Sequence, residues 1–538
     1  MTLDDDVRIA RAAGRQSYGS QLAAAARRYP DRIALQLDDV RLTYPQLDRR
    51  VTKLARALAA RGVGLGDRVA VLMRNRLETV QAYYAGLRLG AIVVPVNFRL
   101  VAAEVRYVLS DSGCAAVIVD AACAGVAAEA IDGLDPSPVV LATDGAEHHF
   151  RHADSFEAAV AQESDEPLCI DVDEGEPAFI MYTSGTTGRP KGAVLSHRNL
   201  TTVALLTSMS TGAVPEDQTS LLGVPMFHIA GVGSILPRLL TGARIVVYSP
   251  AVFDPVAIVD LLEREQVTNC FFVPSQWQAI CALPGIKDRN LALRRIGWGA
   301  APAQPSLLEA LASTFPQAPA FTAFGQTETS ATICLLRGED ALRKPGSVGQ
   351  PLYGVEARIV DDDLNDVAVG EVGEIVYRGP TVMREYWNNP KATAEAFAGG
   401  WFHSGDLCRK DEDGFIWVVD RKKDMIISGG ENIYCAEVEA AIDAHAKVAE
   451  VAVIGVPHEK WGQTPLAVVT ALDPADPPTE AEIIEHCRGL LASYKKPTAV
   501  VVIDAMPRTA SGKIQKYALR DRFSRQPEPR VPDQQPSP

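Results

Sequence analysis

Two textures of hydrophobic and polar positions alternate along the first 360 residues. Short apolar runs such as Val69–Met73 and 91–94 (Ala-Ile-Val-Val) flank a stretch, Leu77–Leu89, whose apolar residues recur at helical spacing. Gly90 stands just past its end, where a left-handed cap is expected, so the three segments predict a βαβ unit. The theme recurs at Asp254-Pro255, an N-cap residue followed by proline at the first helical position. It predicts a helix to about Gln266 and a strand over Val267–Val273. Repetition of this kind implies an α/β architecture with mixed sheets.

Between Val355 and Val419 the pattern shortens. Tight-turn sequences at 370–374 and 411–414 separate the alternating runs Glu374–Arg378 and Phe415–Val419, as in a small β-rich layer. The charged stretch Arg421-Lys422-Lys423-Asp424 then reads as a linker. Beyond it lie a helix at 436–442, strands at 448–456 and 466–472, a helix at 481–491 and a strand at 500–504. The expected organisation is a large α/β N-terminal domain (1–422) of βα subdomains plus a β layer, a small α+β C-terminal domain (423–525), and a polar, proline-rich tail (526–538) without structure.

One segment breaks the pattern. Directly after Phe179-Ile180-Met181 the chain reads Tyr182-Thr183-Ser184-Gly185-Thr186-Thr187-Gly188-Arg189-Pro190-Lys191-Gly192. Glycines let successive backbone N–H groups turn inward as an anion nest, hydroxyls add neutral donors, and Lys191 adds a charge that can follow a phosphate. The Walker pattern needs Gly-Lys followed by Ser or Thr. Here Arg189 and Pro190 intervene, so this is a phosphate loop of another kind.

Composition narrows the partners. With 53 basic and 67 acidic residues among 538, the net charge is −14, which argues against a nucleic-acid surface. No apolar run approaches the ~18 residues of a membrane span. The acidic start Met1–Asp6 lacks the basic region of a signal peptide, and the nine cysteines show no zinc spacing. A cytoplasmic location without structural metal is the expectation; a homodimer is left open.

Further motifs follow the loop in order: Pro225-Met226-Phe227-His228, Gly297-Trp298-Gly299-Ala300-Ala301-Pro302, Phe324-Gly325-Gln326-Thr327-Glu328, Trp401-Phe402-His403-Ser404-Gly405-Asp406, Asp420-Arg421-Lys422-Lys423-Asp424 and Pro507-Arg508-Thr509-Ala510-Ser511-Gly512-Lys513. Together they resemble the adenylate-forming enzymes: acyl-CoA synthetases, luciferases and peptide-synthetase adenylation domains. The likeness covers residues 20 to 520 and is strongest toward actinobacterial fatty-acid–CoA ligases.

That resemblance implies ATP, Mg²⁺ and coenzyme A as cosubstrates of a carboxylic acid. It implies phosphate contacts from Thr183, Ser184, Gly185, Thr186, Thr187, Gly188 and Lys191. Adenine packs on Gly299, Ala300 and Ala301, and Phe324, Gly325, Gln326 and Thr327 belong to the nucleotide site in the segment that ends at Glu328. Glu328, with Thr183 at longer reach, takes the magnesium, and oxygen donors suit that hard cation. Asp406 takes the ribose hydroxyls, with Ser404 where many relatives have threonine, and Arg421 reaches ribose or phosphate. His228 borders the acyl pocket, and Lys513 reaches the α-phosphate and the substrate carboxylate. The small domain rotates about Lys423, bringing Gly429, Gly430 and Glu431 to line a thiol tunnel.

The expected reaction is conversion of the acid to acyl-AMP with pyrophosphate release, then transfer to the thiol of coenzyme A. Small apolar residues after His228, Ile229-Ala230-Gly231-Val232-Gly233, leave room for an aliphatic chain. Phe227, Trp277, Trp298, Thr329, Ser330 and Ala331 are further pocket candidates, and none of these offers a cation for a second carboxylate. That leaves fatty or aryl acids, and the resemblance to actinobacterial fatty-acid–CoA ligases favours a medium- to long-chain fatty acid. Trp298 could shorten the pocket, which keeps hydroxycinnamate-type aryl acids as the alternative, alongside an acyl-AMP ligase that loads a carrier protein.

Overall fold

The computed structural model describes residue 10 and residues 14–168, 170–183, 190–212, 218–249, 253–299, 303–428, 431–488, 490–508 and 514–523. The loop residues 184–189, Ala300, Ala301, Gly429, Gly430, Lys513 and the expected tail at 526–538 lie outside these. The chain divides into two compact units. One comprises Met1–Arg358, Val376–His403 and Asp411–Trp417; the other comprises Ile359–Ile375, Ser404–Lys410 and Val418–Pro538.

The first unit contains the predicted βαβ pattern. Arg68–Leu72 and Ile92–Pro95 pair in parallel across the helix Leu77–Leu89, which ends on Gly90 at φ 70°. A side chain there would be strained, which is why glycine closes this helix. These strands belong to an eight-stranded sheet in which Pro177–Thr183 lies beside Ile92–Pro95.

A nine-stranded sheet forms the other half of this unit. Its order is Gln350–Pro351, Cys334–Leu336, Ala320–Phe324, Arg295–Trp298, Asn269–Phe272, Thr219–Leu222, Arg244–Val247, Ile33–Leu37 and Val40–Thr43. The inner strands run parallel and both edges are antiparallel. From Thr219–Leu222 the chain goes first to Arg244–Val247 on one side, then to Asn269–Phe272 on the other. The winding direction therefore reverses between Thr219–Leu222 and Asn269–Phe272, and the crevice at such a reversal, outside the carboxyl ends of the strands, is where open α/β sheets hold ligands.

Asp254 caps the helix Pro255–Arg264 by accepting from the amides of Val256 and Ala257. The strand after it is Asn269–Phe272, shorter than expected. Gln266 turns the chain at φ 47°, and the Val267 amide bonds back to the Leu262 carbonyl at 2.9 Å, so the first residues serve the helix end.

The second unit has its own cores. Val448–His458 and Gly462–Ala471 form a long antiparallel pair, flanked by Ala499–Val502 in parallel and by Ile426–Ser428. The helices Cys435–Asp443 and Glu480–Arg488 cover one side through Val438, Ile442, Ile483 and Cys487, and Lys516–Phe523 covers another through Leu519 and Phe523.

Candidate active site

The segment Pro177–Thr183 returns as an antiparallel partner, Lys191–Ser196, with Thr183 opposite Lys191. Thr183 and Lys191 thus end and begin two paired antiparallel strands, whereas a Walker loop leads from strand to helix. Gly192 is forced by contact: a Cβ there would sit 2.7 Å from Ile180 and 3.3 Å from both Trp387 and Tyr182.

Three expected site segments emerge from the carboxyl ends of parallel strands of the nine-stranded sheet. Gly325–Glu328 follows Ala320–Phe324, Gly299 follows Arg295–Trp298, and the segment ending in His228 follows Thr219–Leu222. Gly325 has no room for a side chain, since a Cβ would lie 2.4 Å from the Ala331 carbonyl oxygen. After Glu328 the chain turns through Ser330 at φ 58° and Ala331 at φ 85°, two consecutive non-glycine residues in the left-handed region. Strain of this kind marks functional segments held by their surroundings. Here the Ser330 hydroxyl donates to the Thr381 carbonyl at 2.8 Å and the Met383 amide donates to the Glu328 carbonyl at 2.7 Å.

Glu328 is buried, yet its carboxylate meets the hairpin. Thr183 Oγ1 lies 3.5 Å from Glu328 Oε1, and the Tyr386 hydroxyl donates to the same oxygen at 2.9 Å. Tyr386 arrives by strand pairing, with Tyr386 opposite Ala193 and Glu385 opposite Val194. Burial and the neighbouring carboxylate push its phenol well above the usual range, so it remains a donor. Lys191 places its ammonium 5.1 Å from the Tyr386 ring centroid. Sequence patterning gave no signal for Tyr386, because a two-residue edge strand has no legible period.

His228 caps the helix Ile229–Leu240, its ring accepting from the Ala230 amide at 3.4 Å. The segment before it is clamped by Asn75, which donates to the Val224 carbonyl and accepts from the Met226 amide, both at 2.8 Å. Tyr83 adds a bond of 3.0 Å to the Met226 carbonyl, and Phe227 meets Phe98 edge-on at 5.3 Å. Asn75 was not a sequence candidate; a buried asparagine after a strand carries no distinctive signal.

Two pocket candidates prove to be core. Along Arg295–Trp298, Ile296 and Trp298 face the cluster formed with the helices Pro255–Arg264, Pro274–Cys281 and Pro305–Thr314. Gly297 and Gly299 face the opposite side, where a Cβ would meet Phe271 at 2.8 and 2.7 Å. Strand alternation thus turns Trp298 away from the Gly299 face, and it cannot shorten a pocket there. Trp277 is fully buried in the same cluster, packed edge-on against Phe272 at 5.1 Å, its indole donating to the Gly297 carbonyl at 2.9 Å.

In the second unit, buried Asp406 holds Arg421 through a 2.6 Å ion pair. The Ser404 hydroxyl accepts from the Asp406 amide at 3.0 Å and donates to the Ile375 carbonyl at 2.5 Å. Lys422 is fixed by Asp362 at 2.8 Å and Glu374 at 3.1 Å, and Lys423 is exposed. Exposed Glu431 pairs with Ser428 across a short hairpin. Nearby, Lys516 forms a 2.8 Å ion pair with largely enclosed Glu439, whose carboxyl is held above the usual range by burial.

A family model described as AMP-binding enzyme matches residues 22–387, and one for the AMP-binding enzyme C-terminal domain matches residues 437–513. The chain belongs to the AMP-binding enzymes. This AMP-binding enzyme is 40% identical to a feruloyl-CoA synthase of an Amycolatopsis species, an alignment covering 94% of this chain and 99% of the relative. It is 37% identical to a long-chain-fatty-acid–CoA ligase of Mycobacterium tuberculosis, covering 90% and 94%. Among solved structures, a Mycobacterium tuberculosis fatty acyl CoA synthetase superposes with a TM-score of 0.75 at 34% identity, covering 95% and 98%. ATP-bound MatB from Rhodopseudomonas palustris gives 0.83 at 30%, covering 94% and 99%. The expected likeness to adenylate-forming enzymes and to actinobacterial fatty-acid ligases is borne out, as is the mixed α/β fold with a small C-terminal domain. Among the described residues, no helix is long and apolar enough to cross a membrane.

Proposed function

We propose that this AMP-binding enzyme is an acid–CoA ligase that works in two half-reactions. The observation that carries the reading is the convergence of Thr183, Glu328, Tyr386 and Lys191 where the hydroxyl-rich hairpin meets the carboxyl ends of the parallel strands. Curated relatives aligned over nearly the whole chain, feruloyl-CoA synthase and long-chain-fatty-acid–CoA ligase among them, support it.

In the first half-reaction a substrate carboxylate oxygen attacks the α-phosphorus of ATP, and pyrophosphate leaves. Both reactants are anionic, so the site must hold them close and offset their charge. The loop at 183–191 grips the leaving pyrophosphate, with Lys191 as its cation. Glu328 and Thr183 supply the oxygen donors a magnesium ion prefers, and the ion contributes neutralisation of phosphate charge. The turn after Trp298, beginning at Gly299, takes the adenine, and Asp406 accepts from the ribose hydroxyls once Arg421 shifts toward the nucleotide. Lys513, assigned by its motif, offsets charge at the α-phosphate.

In the second half-reaction the thiol sulfur of coenzyme A attacks the acyl carbonyl carbon and AMP leaves. The small domain, turning about Lys423, exchanges Lys513 for the segment 428–433. The acid enters beside Phe227 and His228, and fatty and aryl acids are both candidates for it.

ATP–pyrophosphate exchange over a panel of aliphatic and aryl acids, followed by coenzyme A or carrier-protein acceptance, tests the reading. Acid-dependent exchange that requires Mg²⁺, with thioester formed on coenzyme A, is the expected result. Absence of exchange with every acid overturns it, and thioester formed only on a carrier protein reassigns the acceptor.

A further inference from the structure

The helix Ala102–Ser112 carries an acid in its last turn: Asp111 is its penultimate residue, and no basic residue stands in that turn. The last turn is the negative end of the helix dipole, where a carboxylate is unfavourable and a lysine or arginine would be favoured. The contacts of Asp111 show what offsets that cost. Its Oδ2 accepts from the Tyr182 hydroxyl at 2.6 Å. Its carbonyl, one of the last four that find no partner within a helix, accepts from Trp387 Nε1 at 3.1 Å and from Asn388 Nδ2 at 3.0 Å.

Each of these partners adjoins a residue of the candidate site. Tyr182 directly precedes Thr183, and Trp387 and Asn388 directly follow Tyr386, whose hydroxyl bonds Glu328. One turn earlier on the same helix face, the Tyr107 hydroxyl donates to the Pro190 carbonyl at 3.1 Å, and Pro190 directly precedes Lys191. The rings of Tyr107 and Tyr182 meet edge-on at 6.3 Å. Trp387 closes the arrangement, its backbone amide donating to the Gly192 carbonyl at 2.7 Å while its indole serves Asp111. One helix end thus grips both strands that bear Thr183 and Lys191, and the short strand that bears Tyr386. Burial and the Asp111 carboxylate push the Tyr182 phenol well above its usual range, so it stays a donor at neutral pH.

We propose that Asp111 is a positioning residue for the phosphate end of the nucleotide: through Tyr182 and the Trp387 segment it fixes Thr183 and Lys191 against Glu328, so that the three act on the β- and γ-phosphates as one unit. This rests on the acid-activating reading above and adds to it a residue that works through others.

The test compares wild type, Asp111→Ala, Tyr182→Phe and the double variant. Equilibrium dialysis without acid reads binding of MgATP and of AMP, and pyrophosphate exchange reads turnover. AMP lacks the β- and γ-phosphates, so it reports on the rest of the nucleotide site. Alanine also improves the end of the helix it enters, so a loss in Asp111→Ala is not loss of that helix. Each single variant should weaken MgATP about tenfold, since displacements of about 1 Å cost factors of this order or more, and leave AMP within about twofold. Both remove the same bond, so the double variant should lose no more than the worse single one. In exchange, KM for MgATP and for pyrophosphate should rise while KM for the acid stays in place. Tyr182→Phe keeps the ring on Tyr107 and carries the test if Asp111→Ala does not fold. Equal weakening of MgATP and AMP, additive losses in the double variant, or MgATP affinity unmoved in both single variants overturns the proposal. Asp111-dependent MgATP binding without exchange for any acid counts against the ligase reading alone. Exchange whose KM values are indifferent to both variants counts against this proposal alone.

Discussion

Tyr386 donates a 2.9 Å hydrogen bond to Glu328 Oε1, the oxygen that also faces Thr183 at 3.5 Å. A neutral, high-pKa phenol thus orients a buried carboxylate without taking its charge, and leaves the other carboxylate oxygen for a ligand.

Tyr386→Phe should therefore lower kcat/KM for MgATP by about tenfold, the worth of one hydrogen bond to a charged acceptor, while melting close to wild type. Glu328→Gln should lower it by two orders of magnitude or more, by analogy with loss of one preorganised electrostatic group. Steady-state kinetics over a magnesium titration distinguishes the two. Tyr386→Phe indistinguishable from wild type would remove Tyr386 from the site.

The pair Asp406–Arg421 is asymmetric: the carboxylate is buried and the guanidinium is 42% exposed. Arg421→Ala deprives a buried charge of this cation, whereas Asp406→Ala leaves a cation that water can reach. Thermal unfolding should show Arg421→Ala as the more destabilising, by about 2–3 kcal/mol, and Asp406→Ala as milder. Nucleotide binding should show the reverse rank, because Asp406 is the proposed ribose acceptor.

His197 is fully buried, and its Nδ1 accepts from the Tyr18 amide at 3.3 Å. Protonating that nitrogen would replace an acceptor with a donor facing a donor. Burial holds the imidazole down at about 4, against 6.5 when exposed. A base whose pKa is lowered on folding contributes stability that is complete above pH 6.5 and declines as pH falls toward 4. The span corresponds to about 3 kcal/mol at most. Wild-type melting temperature should fall between pH 6.5 and 4 more steeply than that of His197→Asn; parallel curves would refute the assignment.

Asn75 bonds both Val224 and Met226, so Asn75→Ala should loosen the chain entering His228. The expected effect is about a tenfold fall in kcat/KM for the acid with little change in KM for ATP, since positioning errors near 1 Å cost factors of this order or more. Equal effects on both substrates would indicate a general loss of structure instead.

Much of the fold was legible because it is written locally. Leu77–Leu89 with Gly90, and Asp254 before Pro255, announce their helices through caps and spacing, and the structure places those helices there. The ordered motifs likewise named Thr183, Lys191, Glu328 and Asp406 before any contact was visible. Phe272 and Trp298 show the limit: an aromatic at a strand end has the same composition whichever face it points to, and only the packing of Trp277 beneath them settles the side.

The sequence by itself determined the chemical inventory and its order: a hydroxyl-rich loop, the acid Glu328, the aspartate Asp406, a charged linker and a C-terminal lysine. Tertiary structure decided which groups meet. Tyr386 reaches Glu328 across 58 residues, and Asn75 reaches Met226 across 151. Caps and periods are encoded within a few residues, whereas burial and pairing across such distances depend on how the elements pack, which no local pattern records.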